Sequence, residues 1–457
     1  MRERENHVHL NYMSTALVFC LCAAFLSFAV HAESPAAVST AGWEGRTCIP
    51  FEHGGRTGYL VTPAQPASGK PWLLCAEAPV SDDLTRSLLD RGLHIGWINV
   101  DGLYGNAEAL GHWDAFYAWA TKDQGLAEKP ALSGGGDGAF QAFSWAVNNP
   151  GHVACLFAPE PRLQPPVAPD GGAALREKIL KAHGLPGDAD VAAFAGSPLS
   201  QAARLGQAET PIILAYAGKG TETQERKDAD LFYLGYRRAG AGVFEIIATS
   251  AAADAAREGI TLHARYFILE NTGQLSPAPQ GAAVPAMPEW TVADFAGGTD
   301  IHVLDDVLII ECGNEMTGVR WSGEPPEKDF EITLEAMRLS GGDFFCGLTA
   351  PYKETVFSLI VGGWGGTCVG ISSLDWLDAY NNETAQFRTF RSHVWYPVKL
   401  RVAGDRIQAW VDKEQLVDVE VADRDVDIRW EMAPTKPLGI ATWRTTGAIR
   451  NFKVTPL

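Results

Sequence analysis

The chain has 457 residues with 46% hydrophobic and 10% aromatic content, which is too long for one ordinary domain and apolar enough to bury two cores. Its formal net charge is −18. So acidic a chain is not expected to bind nucleic acid or an anionic membrane surface, because both would repel it. Neutral and cationic ligands remain compatible with it.

The first 32 residues have the pattern of a secretory signal. Arg2 and Arg4 precede an apolar run over 16–30, and Val30-His31-Ala32 offers small residues at the positions where cleavage is expected. Because the run is short for a membrane span, we predict a cleaved signal over 1–32, a secreted or periplasmic location, and no membrane span after cleavage. An uncleaved N-terminal anchor is the alternative.

Residues 43–272 alternate between apolar strand-like runs and amphipathic helical stretches. This alternation predicts a doubly wound α/β fold with right-handed crossovers. The predicted strands are two within 43–62, around a Gly-Gly turn, followed by 71–79, 93–100, 130–134, 153–161, 211–220 and 243–250. The predicted helices are 82–92, 107–125, 139–149, 228–241 and 259–272.

The segment Pro130–Phe140, PALSGGGDGAF, has the layout of a nucleophile elbow, in which a strand turns sharply through G-x-S-x-G into a helix. The frame here is Gly134-Gly135-Gly136-Asp137-Gly138, so Gly136 stands at the place of the nucleophile. Glycine has no side chain with which to attack a substrate. The scaffold of a hydrolase is therefore predicted without its chemistry.

Three stretches of this region resemble a secreted α/β-hydrolase family related to prolyl-oligopeptidase-like esterases: GKPWLLCAEAP, GHWDAFYAWATKDQGLAEKPAL and WAVNNPGHVACLFAPEP. Members of that family carry a serine elbow, G-M-S-R-G-G, after the same K-P-A-L, and the resemblance aligns Gly136 with the serine. It also implies an acid in the turn 218–221 and a histidine in the loop 250–254. The turn reads GKGT, with no carboxylate until Glu222, and the loop reads SAAAD, with no histidine until His263. All three triad positions are therefore predicted to be lost.

Asp137 leaves two further interpretations open. If the elbow frame slips by one residue, Asp137 stands at the tip of the turn, as in enzymes with an aspartate nucleophile, and residual esterase activity follows. Alternatively, Asp137 is an acidic first-turn residue that caps the helix. The fixed position of K-P-A-L and the lack of an evident histidine base favour the second interpretation.

The segment 273–289 is rich in proline and alanine and predicts a semi-rigid linker. After it, short strand-like runs recur with turn signals between them, and alternation is clear in FEITLEAMRL and VKLRVAGDRIQAWVD. This pattern predicts an antiparallel β-sandwich or jelly roll over 290–457. The fold class is therefore α/β followed by all-β.

The runs DFEITLEAMRL, GGDFFCGLTAP, SLIVGGWGG, WYPVKLRVAGDRIQAWVD and LGIATWRTTGAIRNFKV resemble the concanavalin-like jelly roll of the 3-keto-disaccharide hydrolase family and its laminin-G-like relatives. The resemblance implies a domain that binds or cleaves glycans on its concave sheet or rim loops. This copy lacks the longer central insertions of the hydrolytic members.

The richest candidate site in this region is the loop-rich run 362–384, which combines aromatic rings with acidic and amide side chains. Sugar sites stack a pyranose face on a ring and hold hydroxyl groups with Asp, Asn and Glu. The candidate binding residues are Trp364, Asp375, Trp376, Asp378, Tyr380, Asn381, Asn382 and Glu383. An alternative interpretation places Trp364 in the core and leaves the acidic loop solvated.

Two metal questions arise from the sequence. Asp375, Asp378 and Glu383 are candidate Ca²⁺ ligands through their carboxylate oxygens. No other cofactor is predicted. The cysteines of the mature chain are scattered, without a C-x-x-C pair or a Cys/His cluster, so a zinc site is not expected.

The first functional hypothesis is a secreted, non-catalytic glycan-associated protein with a carbohydrate ligand. The second is a glycoside hydrolase that uses two carboxylates drawn from Asp343, Asp375, Asp378 and Glu383. The third is an esterase that acts through Asp137.

Overall fold

The computed structural model describes residues 43–166, 172–187, 189–190, 194–217, 223–249 and 253–457, and residues 41–457 form one compact unit. The predicted signal over 1–32, the candidate acid turn 218–221 with Glu222 after it, and most of the candidate histidine loop, 250–252, lie outside the described residues. Within the described part of the chain, no helix is both long and apolar enough to cross a membrane.

The first half is built on one eight-stranded sheet. Its strands are β1 (Cys48–His53), β2 (Arg56–Val61), β3 (Trp72–Cys75), β4 (His94–Ile98), β5 (Ala131–Ser133), β6 (Cys155–Pro159), β7 (Ile212–Ala217) and β8 (Phe244–Thr249). The spatial order is β1-β2-β4-β3-β5-β6-β7-β8. Strand β2 is antiparallel to both neighbours, whereas β3 to β8 are parallel. This topology is that of the α/β-hydrolase fold, so the prediction for the first half is confirmed.

Helices cover both faces of this sheet. They are α1 (Asp83–Asp90), α2 (Ala107–Lys122), α3 (Ala139–Asn148), α4 (Ala173–Ala182), α5 (Pro198–Gln207), α6 (Gln224–Ala239) and α7 (Ala253–Asn271). Helix α2 shows why they form: the Asn106 side chain accepts a hydrogen bond from the Ala109 N–H and caps the first turn, while Trp113 and Phe116 are buried against the sheet. Helix α7 starts six residues before the predicted 259.

The second half consists of two antiparallel sheets. One has the order β18-β17-β16-β15-β22-β13-β10-β9 and the other β11-β12-β23-β14-β19-β20-β21. Their bounds are β9 (Ala283–Val284), β10 (Met287–Val292), β11 (Ile301–Leu304), β12 (Val307–Ile310), β13 (Met316–Trp321), β14 (Phe330–Gly341), β15 (Cys346–Tyr352), β16 (Thr355–Gly362), β17 (Cys368–Ser372), β18 (Gln386–Phe387), β19 (Tyr396–Ala403), β20 (Arg406–Val411), β21 (Glu414–Glu420), β22 (Gly439–Trp443) and β23 (Thr445–Pro456).

Alternation along the strands builds the core between these two sheets. In β14, Ile332 and Leu334 are buried in that core, while Glu331 and Thr333, which alternate with them, are half-exposed. The opposite sheet contributes Leu359 and Val361 of β16 to the same core. The predicted antiparallel arrangement of the second half is therefore present. Strand β9 and the start of β10 fall within the segment 273–289, so the chain enters the sheet before the end of the predicted linker.

The two halves share a hydrophobic cluster. It joins Leu262 and Phe267 of α7 to Leu304 and Ile309 of the β11–β12 hairpin and to Met337 of β14. Helix α7 therefore packs against the sheet of the first half on one side and against the sandwich on the other. The six cysteines in the described residues are all free.

Candidate functional site

The turn after β5 has the shape of the predicted elbow. Gly136 takes a positive φ of +44°, and no described atom lies within 4 Å of the place where a Cβ would stand. Its backbone is tied to the segment after β6, because its N–H donates to the Glu160 carbonyl at 3.2 Å and its carbonyl accepts from the Arg162 N–H at 2.9 Å. The fold thus places Gly136, which has no side chain, at the position where the elbow of a hydrolase carries its nucleophile.

Asp137 is an acidic first-turn residue of the short 3₁₀ helix Gly136–Gly138 that leads into α3, as one interpretation of the sequence expected, but its side chain does not cap α3. Its Oδ1 accepts a hydrogen bond from Arg162 Nε at 2.6 Å, and no side-chain cap is present at the start of α3. The guanidinium of Arg162 engages this carboxylate, so its lone pairs are less available for attack on a substrate.

Glu77, which the sequence analysis did not identify, lies against the same turn. It follows β3, and its Oε2 accepts a hydrogen bond from the Gly135 N–H at 3.3 Å, while Oε1 is buried without a hydrogen-bond partner among the described groups. Burial raises the pKa of Glu77 to about 7, against the opposing effect of backbone N–H groups in the turn. The contact with the turn is close, since a Cβ on Gly138 would lie 1.9 Å from Glu77 Oε1.

The loop after β3 is where α/β hydrolases recruit part of their oxyanion hole. Here the carboxyl groups of Glu77 and Asp137 both lie at the glycine turn. Negative charge on these side chains opposes the binding of an anionic ligand there. His263, the next histidine after β8, is buried in α7, and its Nδ1 lies 3.0 Å from Nε2 of His393 in the second half. This ring nitrogen of His263 therefore contacts the sandwich and not the elbow.

In the second half, a cleft of about 250 Å³ opens on the sheet that contains β16. Because Leu359 and Val361 point into the sandwich core, Ile360 between them points to the opposite, cleft-bearing face. The residues that line the cleft are Met316, Asp343, Phe344, Ile360, Trp364, Ser372, Arg429, Glu431, Met432 and Trp443.

Trp364 borders this cleft and is 38% exposed, so the interpretation that placed it in the core is wrong. It lies in the glycine-rich turn between β16 and β17 with a φ of +48°. Asp343 holds that turn, because its Oδ2 accepts from the Gly365 N–H at 3.1 Å. This backbone conformation is unfavourable for a residue other than glycine, so the surrounding contacts must hold Trp364 and its ring beside the cleft.

Trp364 is the first of three exposed rings in contact, which we call the aromatic row: Trp364, Tyr380 and Phe387. The centroids of Trp364 and Tyr380 are 6.1 Å apart with an interplanar angle of 32°, and those of Tyr380 and Phe387 are 5.4 Å apart at 77°. Tyr380 and Phe387 are 48% and 61% exposed. The row therefore presents ring surface to solvent directly beside the cleft. The sequence analysis predicted Trp364 and Tyr380 and missed Phe387, which follows the predicted run.

Asp375 and Glu383 lie together on one arginine. Arg424 donates from Nε to Asp375 Oδ2 at 2.6 Å and from both Nη atoms to the Glu383 carboxylate. The Asp425 N–H and the Arg424 guanidinium lower the pKa of Asp375, and Arg424 lowers that of Glu383. Trp376, between them in the chain, is 79% exposed.

Asp378, Asn381 and Asn382 form the frame of the loop. Asp378 Oδ1 accepts from the Asn381 N–H and side chain, while its Oδ2 lies 3.3 Å from Arg429 Nη1. Asn382 is buried and donates to the carbonyls of Ile371 and Asp378, so its role is to support the loop. Because all three candidate Ca²⁺ ligands pair with arginine, a calcium site here is not supported.

Arg429 and Glu431 place a second ion pair at the cleft, outside the run 362–384. Arg429 Nη2 donates to Glu431 Oε1 at 2.6 Å. Burial works to raise the pKa of Glu431, but the hydrogen bonds from Arg429 outweigh it and the pKa lies below its ordinary value. Trp430 between them is 81% exposed. The sequence signal was present, since R-W-E sets an aromatic residue between opposite charges in a loop.

No protein-family model matches the chain, and no curated protein matches it. Solved structures that resemble it include MPT51 (FbpC1) of Mycobacterium tuberculosis, with 15% identity, 50% of this chain and 97% of that chain covered, and a TM-score of 0.39. Est1E from Butyrivibrio proteoclasticus has 14% identity over 50% of this chain and 99% of that chain, with a TM-score of 0.36. The carbohydrate binding module CBM66 from Bacillus subtilis has 13% identity over 38% and 99%, with a TM-score of 0.27. At such low identities and TM-scores, these likenesses do not bear on what the chain binds or catalyses.

Proposed function

We propose that this chain is a secreted carbohydrate-binding protein, in which a concanavalin-like jelly roll binds the glycan and the α/β-hydrolase-like half is not catalytic. The observation that carries the proposal is the aromatic row beside a cleft that also presents the carboxylates of Asp343 and Glu431. Exposed rings that contact one another along a surface are the kind of platform on which sugar rings stack.

The chemistry of the cleft suits hydroxyl groups. Carboxylates accept hydrogen bonds from sugar hydroxyls, and the Arg429 guanidinium donates to them. The volume of about 250 Å³ is below the range of roughly 300–1,000 Å³ that is common for drug-sized ligands. We therefore expect one sugar unit to enter the cleft while its neighbours lie on the aromatic row.

The charge of the site favours neutral glycans over anionic ones. Arg424 and Arg429 are both already paired with carboxylates, and the whole chain carries a formal charge of −18. A sulfated or uronic-acid glycan would meet uncompensated negative charge. Uncharged oligosaccharides are therefore the ligand class that we propose for this surface.

The non-catalytic role of the first half is supported by the elbow itself. Gly136 supplies no nucleophile, and Asp137 is held by Arg162. A hydrolase triad needs a nucleophile, a base and an orienting acid within hydrogen-bond reach of one another. With the first of these missing, the domain is best described as a scaffold.

Glycoside hydrolysis through the second half has less support. A general acid of a glycosidase needs a raised pKa, whereas the pKa values of Asp375, Glu383 and Glu431 are all lowered by arginine or backbone N–H contacts. These carboxyl groups are suited to stay ionised and to accept hydrogen bonds from hydroxyl groups.

The test is binding of the full chain to an array of neutral and anionic glycans, followed by calorimetry on the best neutral ligand. We expect Tyr380→Ala to weaken that affinity by about tenfold, because one stacked ring contributes roughly 1–1.5 kcal/mol. The matched control is Tyr233→Ala on α6, where the ring is 39% exposed and lies in the other half of the molecule. Equal affinity for all three proteins, or binding to anionic glycans alone, would contradict the proposal.

A further inference from the structure

The contact between the two halves contains a group of polar side chains within its apolar surroundings. One face of the β11–β12 hairpin meets helix α7: Leu304 and Ile309 pack in the shared hydrophobic cluster. His302 pairs across the hairpin with Ile309, so it points to the same face. Glu311, two residues after Ile309, continues that face.

Three potential ligands converge at this contact. His302 Nε2 lies 3.4 Å from Glu311 Oε1, and a carboxylate oxygen of Glu270, from the last turn of α7, completes a group whose ligand atoms all lie within 4.8 Å of one another. Two of the ligands come from the sandwich and the third from the α/β half.

His302 supplies an observation independent of the carboxylates. It is 3% exposed, and neither of its ring nitrogens has a hydrogen-bond partner among the described groups. The ring of Tyr266 packs edge-on against it at 5.5 Å between centroids. A buried imidazole without a hydrogen bond is costly unless something binds its nitrogen.

The charges around this imidazole are negative. Among the described residues, neither Glu270 nor Glu311 pairs with a lysine or arginine. The negative charge of Glu245 acts on both carboxyl groups, and that of Asp300 acts on Glu270. The group therefore lacks a compensating positive charge of its own.

We propose that Glu270, His302 and Glu311 form a binding site for one divalent first-row transition cation, with Zn²⁺ as its reference ion. The 3.4 Å between His302 Nε2 and Glu311 Oε1 is about the edge of a tetrahedron whose ligands stand roughly 2.1 Å from a central Zn²⁺. An imidazole together with two carboxylates suits zinc and its neighbours better than Ca²⁺ or Mg²⁺, which take oxygen ligands alone.

The site has the other parts that a metal centre needs. The Glu311 N–H donates to the Asp300 carbonyl at 3.1 Å, which fixes the backbone that carries this ligand. Glu270 is exposed, so it provides a route for the ion and can turn its carboxylate toward the other two ligands to close the coordination. With three protein ligands, a fourth position remains for water. The bound cation would join α7 to the hairpin and so link the two halves.

The test is titration of the chelator-treated, tag-free full chain with ZnCl2, followed by calorimetry and by thermal unfolding. We expect one Zn²⁺ per chain and a rise in the unfolding temperature, since an ion that binds only the folded state stabilises it. Co²⁺ should bind at the same stoichiometry and develop visible absorption from a site that includes nitrogen.

Glu270→Gln and Glu311→Gln should each weaken Zn²⁺ affinity by at least tenfold and abolish the Co²⁺ absorption. Glu270→Gln is the safer variant for folding, because the side chain is exposed. The matched control is Glu324→Gln in the exposed loop after β13, which should bind Zn²⁺ as the parent does. No binding by the parent, Zn²⁺ binding that both site variants retain, or a preference for Ca²⁺ over Zn²⁺ would overturn the proposal.

Discussion

The position of Glu77 in the fold determines the pKa of its carboxyl group. An exposed glutamate titrates near 4.5, but burial against the glycine turn raises the pKa of Glu77 to about 7. Nothing in the run LLCAEAP distinguishes this residue from an ordinary loop glutamate. Its environment comes from residues about sixty positions later in the chain, which is why sequence reasoning did not find it.

The raised pKa predicts how Glu77 affects stability with pH. The folded state holds the proton more tightly than the unfolded state, so this contribution is fully present below about 4.5 and is lost as the pH rises through about 7. The loss is at most about 1.4 kcal/mol per pH unit over that window. Glu77→Gln removes the titration, so the variant should gain stability relative to the parent as the pH rises from 4.5 to 7.

Urea unfolding of both proteins at several pH values between 4.5 and 8 checks this prediction. The difference between variant and parent isolates Glu77, because other groups with raised pKa values, such as Glu311, are common to both proteins. A stability difference that stays constant across the whole pH range would show that Glu77 does not titrate in this window.

At the scale of single elements, the elbow keeps its strand, turn and helix although the reactive side chain is missing. The space at Gly136 is open, so a serine there meets no steric obstacle beyond its positive φ. We predict that Gly136→Ser folds, loses about 1–2 kcal/mol through the left-handed backbone, and hydrolyses no activated ester. The reason is that residues 250–254, where the resemblance implies the histidine, read SAAAD.

Denaturant unfolding and a p-nitrophenyl ester assay measure the two outcomes. Gly55→Ser is the matched control for stability, because Gly55 also has a positive φ of +78° and open space around it, in the turn between β1 and β2. Turnover by Gly136→Ser above the rate of the parent would show that a working base lies near the elbow, and the scaffold interpretation would then be wrong.

Elements that are determined locally were predictable from the sequence. The buried strands β3 and β6 are continuous apolar runs, and β14 alternates, so their type and approximate bounds follow from pattern alone. The glycine frame similarly identified the elbow and the empty position at Gly136.

Sites that several elements build together were only partly predictable. The run 362–384 led to Trp364 and Tyr380, but Arg429 and Glu431 join them only because the loops around 375 and 425 pair through backbone hydrogen bonds. Trp443, in an alternating strand, lines the cleft and packs against the hydrophobic cluster beneath it. Glu270, His302 and Glu311 meet only through packing between the halves, for which no sequence pattern exists.

At the scale of the whole molecule, the halves are joined by charge as well as by apolar packing. Asp305, in the turn between β11 and β12, accepts a hydrogen bond from Arg91 Nη2 at 2.6 Å and forms an ion pair with Arg265 Nη2 at 2.9 Å. Both arginines belong to the α/β half. Helix α7, which carries Arg265, also contributes Leu262 and Phe267 to the shared cluster. Unfolding of either half would expose the apolar face of the other.

We therefore predict one cooperative thermal transition for the full chain and a lower transition temperature for Asp305→Asn. Asn retains the backbone conformation, because it tolerates the φ of +59° found at this turn, but it removes the charge that two arginines share. The expected loss is about 1–2 kcal/mol, since the aspartate is half-exposed and its hydrogen bonds are charge-assisted.

Burial of Asp305 opposes ionisation, but the two arginines outweigh it and lower its pKa below the ordinary 3.8. Its contribution is thus present at neutral pH and is lost as the pH falls through that lowered pKa, so the variant and the parent should converge in acid. Asp306→Asn, the neighbouring exposed position, is the control and should leave the transition unchanged at neutral pH. Differential scanning calorimetry measures both effects. Two separate transitions in the parent, of which Asp305→Asn moves neither, would mean that the halves fold independently and that the contact between them contributes no stability.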